Sequence, residues 1–223
     1  MNTFRIKAYA KINLGLDVLR RRPDGYHEVK MIMQTVDLYD DLEFTKLAED
    51  EIRIFTDKEE LPADQGNLIW RAAARMKELY QISEGVSVKL TKRIPIAAGM
   101  AGGSADAAAV LVGLNELYGA RLSMSELCAL GASIGADVPF ALMGGTCRVQ
   151  GVGDLLKALP PVPDCWFTVV MPDYGVSTPE AFAAYDRVGS SIHPDCGAQE
   201  AAIRAGDLDA LCAAAGNALE ECS

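Results

Sequence analysis

The feature that most constrains the fold is a loop rich in glycine and alanine, which lies between a predicted strand and a predicted helix. It comprises residues 95–105 and reads PIAAGMAGGSA. Residues 86–91 before it alternate apolar and polar side chains, which predicts a half-buried strand. Residues 105–117 after it are rich in Ala, Leu and Val, which predicts a helix. Such a loop at a helix N-terminus offers backbone N–H groups and a favourable dipole to phosphate, and Gly102 and Gly103 would let the backbone approach it.

The loop does not fit three common motifs, and a simpler interpretation stays open. No Lys-Ser or Lys-Thr follows the glycines, so it is not a Walker-type loop, and the Rossmann glycine spacing is absent. The closing glycine of a nucleophile elbow is missing after Ser104. The same residues are also typical of a flexible hinge in which Ser104 is the helix N-cap. The loop alone supports a phosphate site and a hinge equally.

Composition restricts the classes of partner. The chain has 223 residues, of which 50% are hydrophobic, so one large domain or two small ones can form a core. The net charge is −10, and no basic cluster is longer than residues 20–22, so we expect no nucleic acid or membrane partner. The N-terminus lacks the apolar core of a signal peptide. The six cysteines are widely spaced, so we expect free buried thiols, no metal site and a cytoplasmic location.

The order of predicted elements favours an α+β fold in two lobes, because strands and helices mix without regular βαβ alternation. Strand patterns occupy residues 4–19, 29–38, 41–47, 52–56, 147–150 and 165–171, and a proline-rich linker occupies 159–163. Helical patterns occupy residues 67–80, a segment from a capping box at Ser123 to about residue 134, and 179–185, 198–205 and 208–219.

Three further clusters carry side chains suited to chemistry. Lys11 and Asn13 lie two residues apart, which places them on one face of a strand, although a solvated strand face has the same pattern. Tyr26 and His27 follow a Pro-Asp-Gly turn, which is also typical of a plain surface turn. Asp137 stands among apolar residues after a helix, where it either caps a turn or acts as a buried base.

Taken together and in this order, these motifs resemble the GHMP kinase superfamily. The matching segments are KINL at 11–14, PDGYH at 23–27, the glycine loop, and GADVPF at 135–140. The resemblance implies a two-lobed α+β fold, with an N-terminal ATP-binding domain over residues 1–155 and a partial C-terminal domain over 156–223. It further implies a monomer or weak homodimer that phosphorylates a small molecule, with ATP and Mg²⁺ as cofactors. The implied substrate is a CDP-linked methylerythritol, phosphorylated on its 2-hydroxyl in non-mevalonate isoprenoid precursor biosynthesis.

The resemblance also implies roles for particular residues. Asp137 matches the base that takes the hydroxyl proton, and Lys11 matches the cation beside it, an arrangement that keeps the carboxylate ionised. Tyr26 and Phe182 match an aromatic pair around cytosine. Further contacts to the substrate are expected from Asn13, His27, Asp137 and Thr178. The ATP phosphates are expected at Pro95, Ile96, Ala97, Ala98, Gly99, Met100, Ala101, Gly102, Gly103, Ser104 and Ala105, where Ser104 could reach either a phosphate or the metal ion.

One departure and two alternatives accompany this resemblance. Members of the superfamily carry a further glycine-rich segment near ATP, and residues 206–223 contain none, so we expect an incomplete C-terminal lobe. A mevalonate-like or homoserine-like kinase would need no aromatic pair around a base. A non-catalytic nucleotide-binding module is the alternative from outside the enzymes.

Overall fold

The computed structural model describes residues 3–171, 175 and 177–222. The chain forms two compact units that interleave along the sequence. The first unit comprises residues 1–10, 36–96 and 101–143, and the second comprises 11–35, 97–100 and 144–223. The division into domains at residue 155 stays a prediction, because these units are compact bodies rather than consecutive stretches of chain.

Strands and helices mix along the chain, which confirms the α+β class. The strands are β1 (Thr3–Arg21), β2 (His27–Leu47), β3 (Ile52–Thr56), β4 (Gly85–Thr91), β5 (Thr146–Gly151), β6 (Leu155–Ala158) and β7 (Gly216–Asn217). The helices are α1 (Leu68–Tyr80), α2 (Gly102–Tyr118), α3 (Met124–Ala132), α4 (Val138–Met143), α5 (Thr178–Val188), α6 (Cys196–Ala205) and α7 (Leu208–Ala213), followed by a 3₁₀ turn (Glu220–Cys222).

In the first unit, helices pack on a sheet built around β4. The far half of β2 pairs antiparallel with β4, from Asp41 opposite Thr91 to Leu47 opposite Gly85, and β3 pairs parallel with the other edge of β4. The helix α2 lies so close to this sheet that a Cβ at Gly113 would lie 2.8 Å from the ring of Phe44. Ten of the 17 residues of α2 are buried, so this helix is central to the core.

In the second unit, the near half of β2 pairs antiparallel with β5, and β5 pairs with β6. The near half of β2 is also a neighbour of β1, which pairs parallel with β7, where Gly15 lies opposite Gly216. Helices α6 and α7 contribute to a buried apolar cluster with β2, formed by Ile32, Cys196, Ala202, Ile203 and Leu211.

Several predicted boundaries are wrong, and each error has a local reason. The two strands predicted at 29–38 and 41–47 are one strand, β2, because Tyr39 and Asp40 continue its backbone. The strand predicted at 165–171 is absent: those residues have no regular structure, and Trp166 is fully exposed. A strand needs a hydrogen-bonded neighbour, and none of the described strands pairs with this segment. The last predicted helix, 208–219, ends as α7 at Ala213.

The predicted capping box is confirmed. Helix α3 begins with the full capping box, in which the side chains of Ser123 and Glu126 each accept from the backbone N–H of the other residue. All six cysteines are free, but only Cys147 and Cys196 are buried, and Cys212 is exposed. None of the helices in the described part of the chain is long and apolar enough to cross a lipid bilayer.

Candidate functional site

The N-terminus of α2 has the backbone geometry of an anion site. Its N-cap, Ala101, is left-handed (φ 56°, ψ 29°), and the next residue, Gly102, is helical. Consecutive residues of opposite hand point their N–H groups toward one side, which forms a concave site for anions. Within the described residues, no side chain caps this helix, and the first helical hydrogen bond runs from the N–H of Ala105 to the oxygen of Ala101 (2.9 Å). The backbone N–H groups of residues 102–104 therefore remain available to a ligand.

This start of the helix overturns the hinge interpretation in one respect. Ser104 is the third residue of α2 and not its N-cap, because the left-handed backbone at Ala101 begins the helix three residues earlier than the predicted start at Ala105. A non-glycine residue with positive φ is uncommon, and Ala97 is another such residue in the same loop (φ 57°). Backbone conformations of this kind cluster at ligand sites.

The two glycines at the start of α2 meet different surroundings. A Cβ at Gly102 would lie 2.8 Å from Nζ of Lys92 and 3.0 Å from Cγ2 of Ile94, so the interior of the first unit already requires glycine there. A Cβ at Gly103 would meet only Cδ1 of Leu68, at an ordinary 3.4 Å. Packing alone therefore explains Gly102 but not Gly103.

Beneath this turn lies a buried cluster of charged side chains that the sequence did not predict. Nζ of Lys92 lies 2.5 Å from Oδ2 of Asp40 and 2.9 Å from Oδ2 of Asp106. The three side chains are at most 4% exposed. The second oxygen of Asp40 accepts from the backbone N–H groups of Arg93 (2.5 Å) and Ile94 (2.8 Å). We call Asp40, Lys92 and Asp106 the buried triad.

Asp106 has the least favourable electrostatic environment of the three residues in the buried triad. Burial raises its pKa to about 7, against the attraction of Lys92, which lowers the pKa, while the nearby Asp40 raises it further. Its Oδ1 atom is buried and has no hydrogen-bond partner among the described residues. A substantial fraction of Asp106 is therefore protonated at neutral pH, which reduces the negative charge next to the N-terminus of α2.

Asp137 lies at the start of α4, in the same unit as the α2 turn. Its backbone oxygen accepts from the N–H of Ala141 (3.0 Å), and both interpretations of its carboxylate, as a turn cap or as a base, stay predictions. Its side chain is half-buried, not buried as expected, because α4 begins only at the next residue. A Cβ at Gly135 would lie 3.6 Å from Oγ of Ser104, so the segment that carries Asp137 runs beside the first turn of α2.

Lys11 and Asn13 belong to the second unit and share one face of β1, as predicted. Nζ of Lys11 donates to Oδ1 of Asn13 (3.3 Å), and the backbone N–H of Lys11 donates to the oxygen of Met100 (3.1 Å). Lys11 is only 7% exposed, so the alternative of a solvated strand face is wrong at this position. Lysine is almost never buried without a partner or a function.

The turn between β1 and β2 brings His27 against α5. The imidazole stacks on Phe182, with ring centroids 4.7 Å apart and planes 22° from parallel. Its Nε2 atom lies 2.7 Å from Oδ1 of Asp186, one helical turn after Phe182, and hydrogen bonding to His27 lowers the pKa of Asp186. The ring of Tyr26 beside it is exposed, as is Thr178 at the start of α5. Asp186 is a site residue that the sequence did not predict.

The described residues contain no group of three or more His, Cys, Asp or Glu side chains arranged to hold a metal ion. The groups at the α2 turn are backbone N–H groups and the Ser104 hydroxyl, and the chain segment that carries Asp137 runs beside them. This set suits Mg²⁺ carried by phosphate, because that ion takes one or two protein oxygens and fills its remaining positions with phosphate and water.

Comparisons with known proteins agree with this geometry. The family described as "GHMP kinases N terminal domain" matches residues 67–145. The 4-diphosphocytidyl-2-C-methyl-D-erythritol kinase of Bacillus subtilis is 49% identical over 214 residues, which are 96% of this chain and 74% of that protein. The protein of that name from Bacillus cytotoxicus is 48% identical over 216 residues, which are 97% of this chain and 74% of that protein.

Solved structures show the same relationship. A crystal structure of 4-(cytidine 5'-diphospho)-2C-methyl-D-erythritol kinase matches with a TM-score of 0.77 and 35% identity, over 98% of this chain and 76% of that one. A homoserine kinase from Cytophaga hutchinsonii matches with a TM-score of 0.66 over 95% of this chain and 70% of that one, but at 20% identity it shows a common fold alone.

Proposed function

The chain belongs to the 4-diphosphocytidyl-2-C-methyl-D-erythritol kinases of the GHMP kinase superfamily, and from this membership we propose that it transfers the γ-phosphoryl group of ATP to the 2-hydroxyl of 4-diphosphocytidyl-2-C-methyl-D-erythritol. The observation that carries the proposal is the uncapped N-terminus of α2, in a chain 49% identical to a kinase of that name. A small molecule is thus the partner. The monomeric or weakly dimeric state and the cytoplasmic location stay predictions.

ATP binding is assigned to the loop at residues 95–105. The free N–H groups of Gly102, Gly103 and Ser104, together with the helix dipole, favour the negative charge of phosphates. Mg²⁺, when bound, supplies charge neutralisation at the phosphate oxygens. Ser104 Oγ lies next to Gly135 and could reach either a phosphate or the metal ion.

The chemical step is assigned to Asp137 and Lys11. The 2-hydroxyl oxygen forms a bond to the γ-phosphorus, its proton passes to the Asp137 carboxylate, and the bond from the γ-phosphorus to the bridging oxygen breaks to leave ADP. The ammonium of Lys11 stabilises the charge that develops on the attacking oxygen. Two observations support these roles: the segment that carries Asp137 runs beside the α2 turn at Gly135, and Lys11 is a buried lysine in a motif that resembles the superfamily.

The substrate contacts are assigned to the second unit. Tyr26 and Phe182 would stack on cytosine, and Asn13, His27 and Thr178 would supply polar contacts. The exposed ring of Tyr26 and the ordered stack of His27 on Phe182 support this assignment, since a base needs both aromatic faces and fixed polar atoms. One face of Phe182 is covered by His27, so cytosine would use the remaining surface of that ring.

A single assay tests the proposed function. Release of ADP is measured with ATP, Mg²⁺ and, in parallel, 4-diphosphocytidyl-2-C-methyl-D-erythritol, mevalonate and homoserine. The proposal is supported if, of the three alcohols, only the CDP-linked alcohol gives ADP release. Turnover with mevalonate or homoserine alone would instead support the alternative kinases, and ATP binding without ADP release from any alcohol would support a non-catalytic module.

A further inference from the structure

The buried triad connects the two chain segments that flank the phosphate loop. Lys92 lies on the segment that enters the loop, and Asp106 lies on the helix that leaves it. The ammonium of Lys92 joins both to Asp40 on β2. Asp40 also fixes the backbone N–H groups of Arg93 and Ile94, the last two residues before the loop begins at residue 95. The triad thus sets where the chain enters and leaves the loop.

The ammonium of Lys92 lies directly under the first residue of α2. The position of a Cβ at Gly102 is only 2.8 Å from Nζ, so the helix turn rests on this charged group without a side chain between them. The three free N–H groups belong to this same turn. A shift of the ammonium would therefore move the donors that ATP is expected to use.

We propose that Lys92 is a positioning residue for ATP: bridging Asp40 and Asp106, it holds the first turn of α2 where its free N–H groups bind the phosphates. This rests on the proposed function of the loop. Lys92 is buried and its ammonium is paired with Asp40 and Asp106, so it acts through the backbone of residues 102–104. A displacement of about 1 Å in such a binding group is enough to cost up to ~100-fold in rate.

A buried ion pair is weak evidence for stability, which favours a role in placing the helix. Hydrophobic side chains of similar volume would fill this space at lower desolvation cost, and Asp106 keeps an unpaired buried oxygen. The triad therefore lowers the stability of the folded state, and in return it fixes the position of the α2 turn. If the buried triad served only to fill the core, Lys92, which precedes the loop, would not need to contact Asp106, which follows it.

The experiment compares Asp106→Ala with Asp106→Asn in the full chain. The asparagine retains an oxygen that accepts from Nζ of Lys92, whereas alanine removes it. Calorimetry gives the Kd for Mg-ATP, and steady-state kinetics gives KM for ATP and for the CDP-linked alcohol. We expect Asp106→Ala to weaken ATP binding about tenfold or more with KM for the alcohol unchanged, and Asp106→Asn to restore binding to within about threefold of the original protein.

Two further variants separate positioning from general damage. Gly102→Ala places a methyl group 2.8 Å from Nζ, the far end of a flexible side chain, so the ammonium must shift; undiminished ATP binding in the folded variant would overturn the positioning role even if Asp106→Ala does not fold. Glu200→Ala removes a carboxylate paired with Arg148 and Arg204 in the second unit, and it should leave the Kd for ATP unchanged.

The outcomes distinguish this inference from the proposed function. If folded Asp106→Ala and Gly102→Ala both bind ATP as tightly as the original chain, Lys92 has no positioning role, although the kinase assignment stands. If the alcohol KM rises as much as that for ATP, the triad only stabilises the fold. If the original chain transfers no phosphate but Asp106→Ala still weakens ATP binding and Asp106→Asn restores it, the proposed function fails while the positioning role survives.

Discussion

Replacing Asp106 with asparagine should change how the stability of this protein depends on pH. Asparagine has nearly the volume of aspartate, and its amide oxygen can still accept from Nζ of Lys92. The substitution therefore removes the titrating proton and little else. The groups that face Asp106 in the buried triad, Lys92 and Asp40, remain as one cation and one anion.

The magnitude follows from the raised pKa. The pKa of Asp106 is about 7 in the folded chain, against an ordinary value of 3.8. Between these values the folded state holds a proton that the unfolded state releases, so the free energy of unfolding falls as pH rises. Each pH unit in this window costs ~1.4 kcal/mol, and the loss ends above the folded pKa. Integrated from pH 5 to pH 8, the loss is roughly 2–3 kcal/mol.

Urea unfolding of both proteins at pH 5, 6, 7 and 8, at constant ionic strength, measures this term. The free energy of unfolding of Asp106→Asn, minus that of the original chain, should increase by roughly 2–3 kcal/mol from pH 5 to pH 8, with unchanged m-values. Taking the difference cancels the other titrating groups. A difference that stays constant with pH would show that Asp106 is ionised throughout, and the account of its burial would be wrong.

Glu200→Gln provides a control of opposite sign. A hydrogen bond from Arg204 lowers the pKa of Glu200, with further contributions from Arg148 and Lys157. That carboxylate therefore contributes stability above its unfolded pKa, and the contribution disappears as pH falls through the folded value. The difference between the original chain and Glu200→Gln should shrink toward acid pH and stay flat from pH 6 to pH 8.

Three substitutions test the assigned site. Asp137→Asn should lower kcat by roughly 10²–10⁴-fold while calorimetry shows an unchanged Kd for ATP, and near-full turnover would reject Asp137 as the base. Gly103→Val should strongly weaken ATP binding in a folded protein, since it adds a branched side chain at the phosphate turn; undiminished affinity would remove phosphates from that turn. Tyr26→Ala or Phe182→Ala should raise KM for the CDP-linked alcohol about tenfold with KM for ATP nearly unchanged, whereas equal changes in both would contradict the cytosine contacts.

Features that depend on neighbouring residues were predictable from the sequence. The strand before the loop follows from the alternation of its side chains, and the helix after it follows from its content of Ala, Leu and Val. The capping box of Ser123 and Glu126 follows from a spacing of three residues. Lys11 and Asn13 share a strand face because the side chains of a strand alternate. Each of these inferences needs only a few consecutive residues.

Features that depend on distant contacts were not predictable in this way. Asp40 is 52 residues from Lys92, and no local pattern indicates that a lysine before the loop is buried between two carboxylates. The helix α4 has six residues, too few for a clear period. The start of α2 was misplaced because Ala101 adopts a left-handed backbone that its side chain does not favour, so Ser104 looked like the better cap.

The apolar run at residues 165–171 shows why a hydrophobic pattern alone does not predict a strand. A continuous apolar segment of this length is typical of a strand buried on both faces, because hydrophobicity reports a tendency to leave water. It carries no information on which backbone will supply hydrogen bonds, and in this structure the segment has no strand neighbour. Residues 166–171 are all exposed in this structure, so here the pattern predicts neither burial nor strand pairing.

Gly102 and Gly103 show that a glycine in the sequence does not by itself indicate a binding function. Both lack a Cβ and both lie in the first turn of α2, so the sequence alone gives no reason to distinguish them. In the structure, Gly102 is required by Lys92 and Ile94 beneath it, whereas nothing closer than an ordinary contact faces Gly103. A glycine can be needed because of the protein interior or because of a ligand. No contact in the protein interior requires a glycine at position 103, so a substitution of Gly103 is the sharper test of phosphate binding.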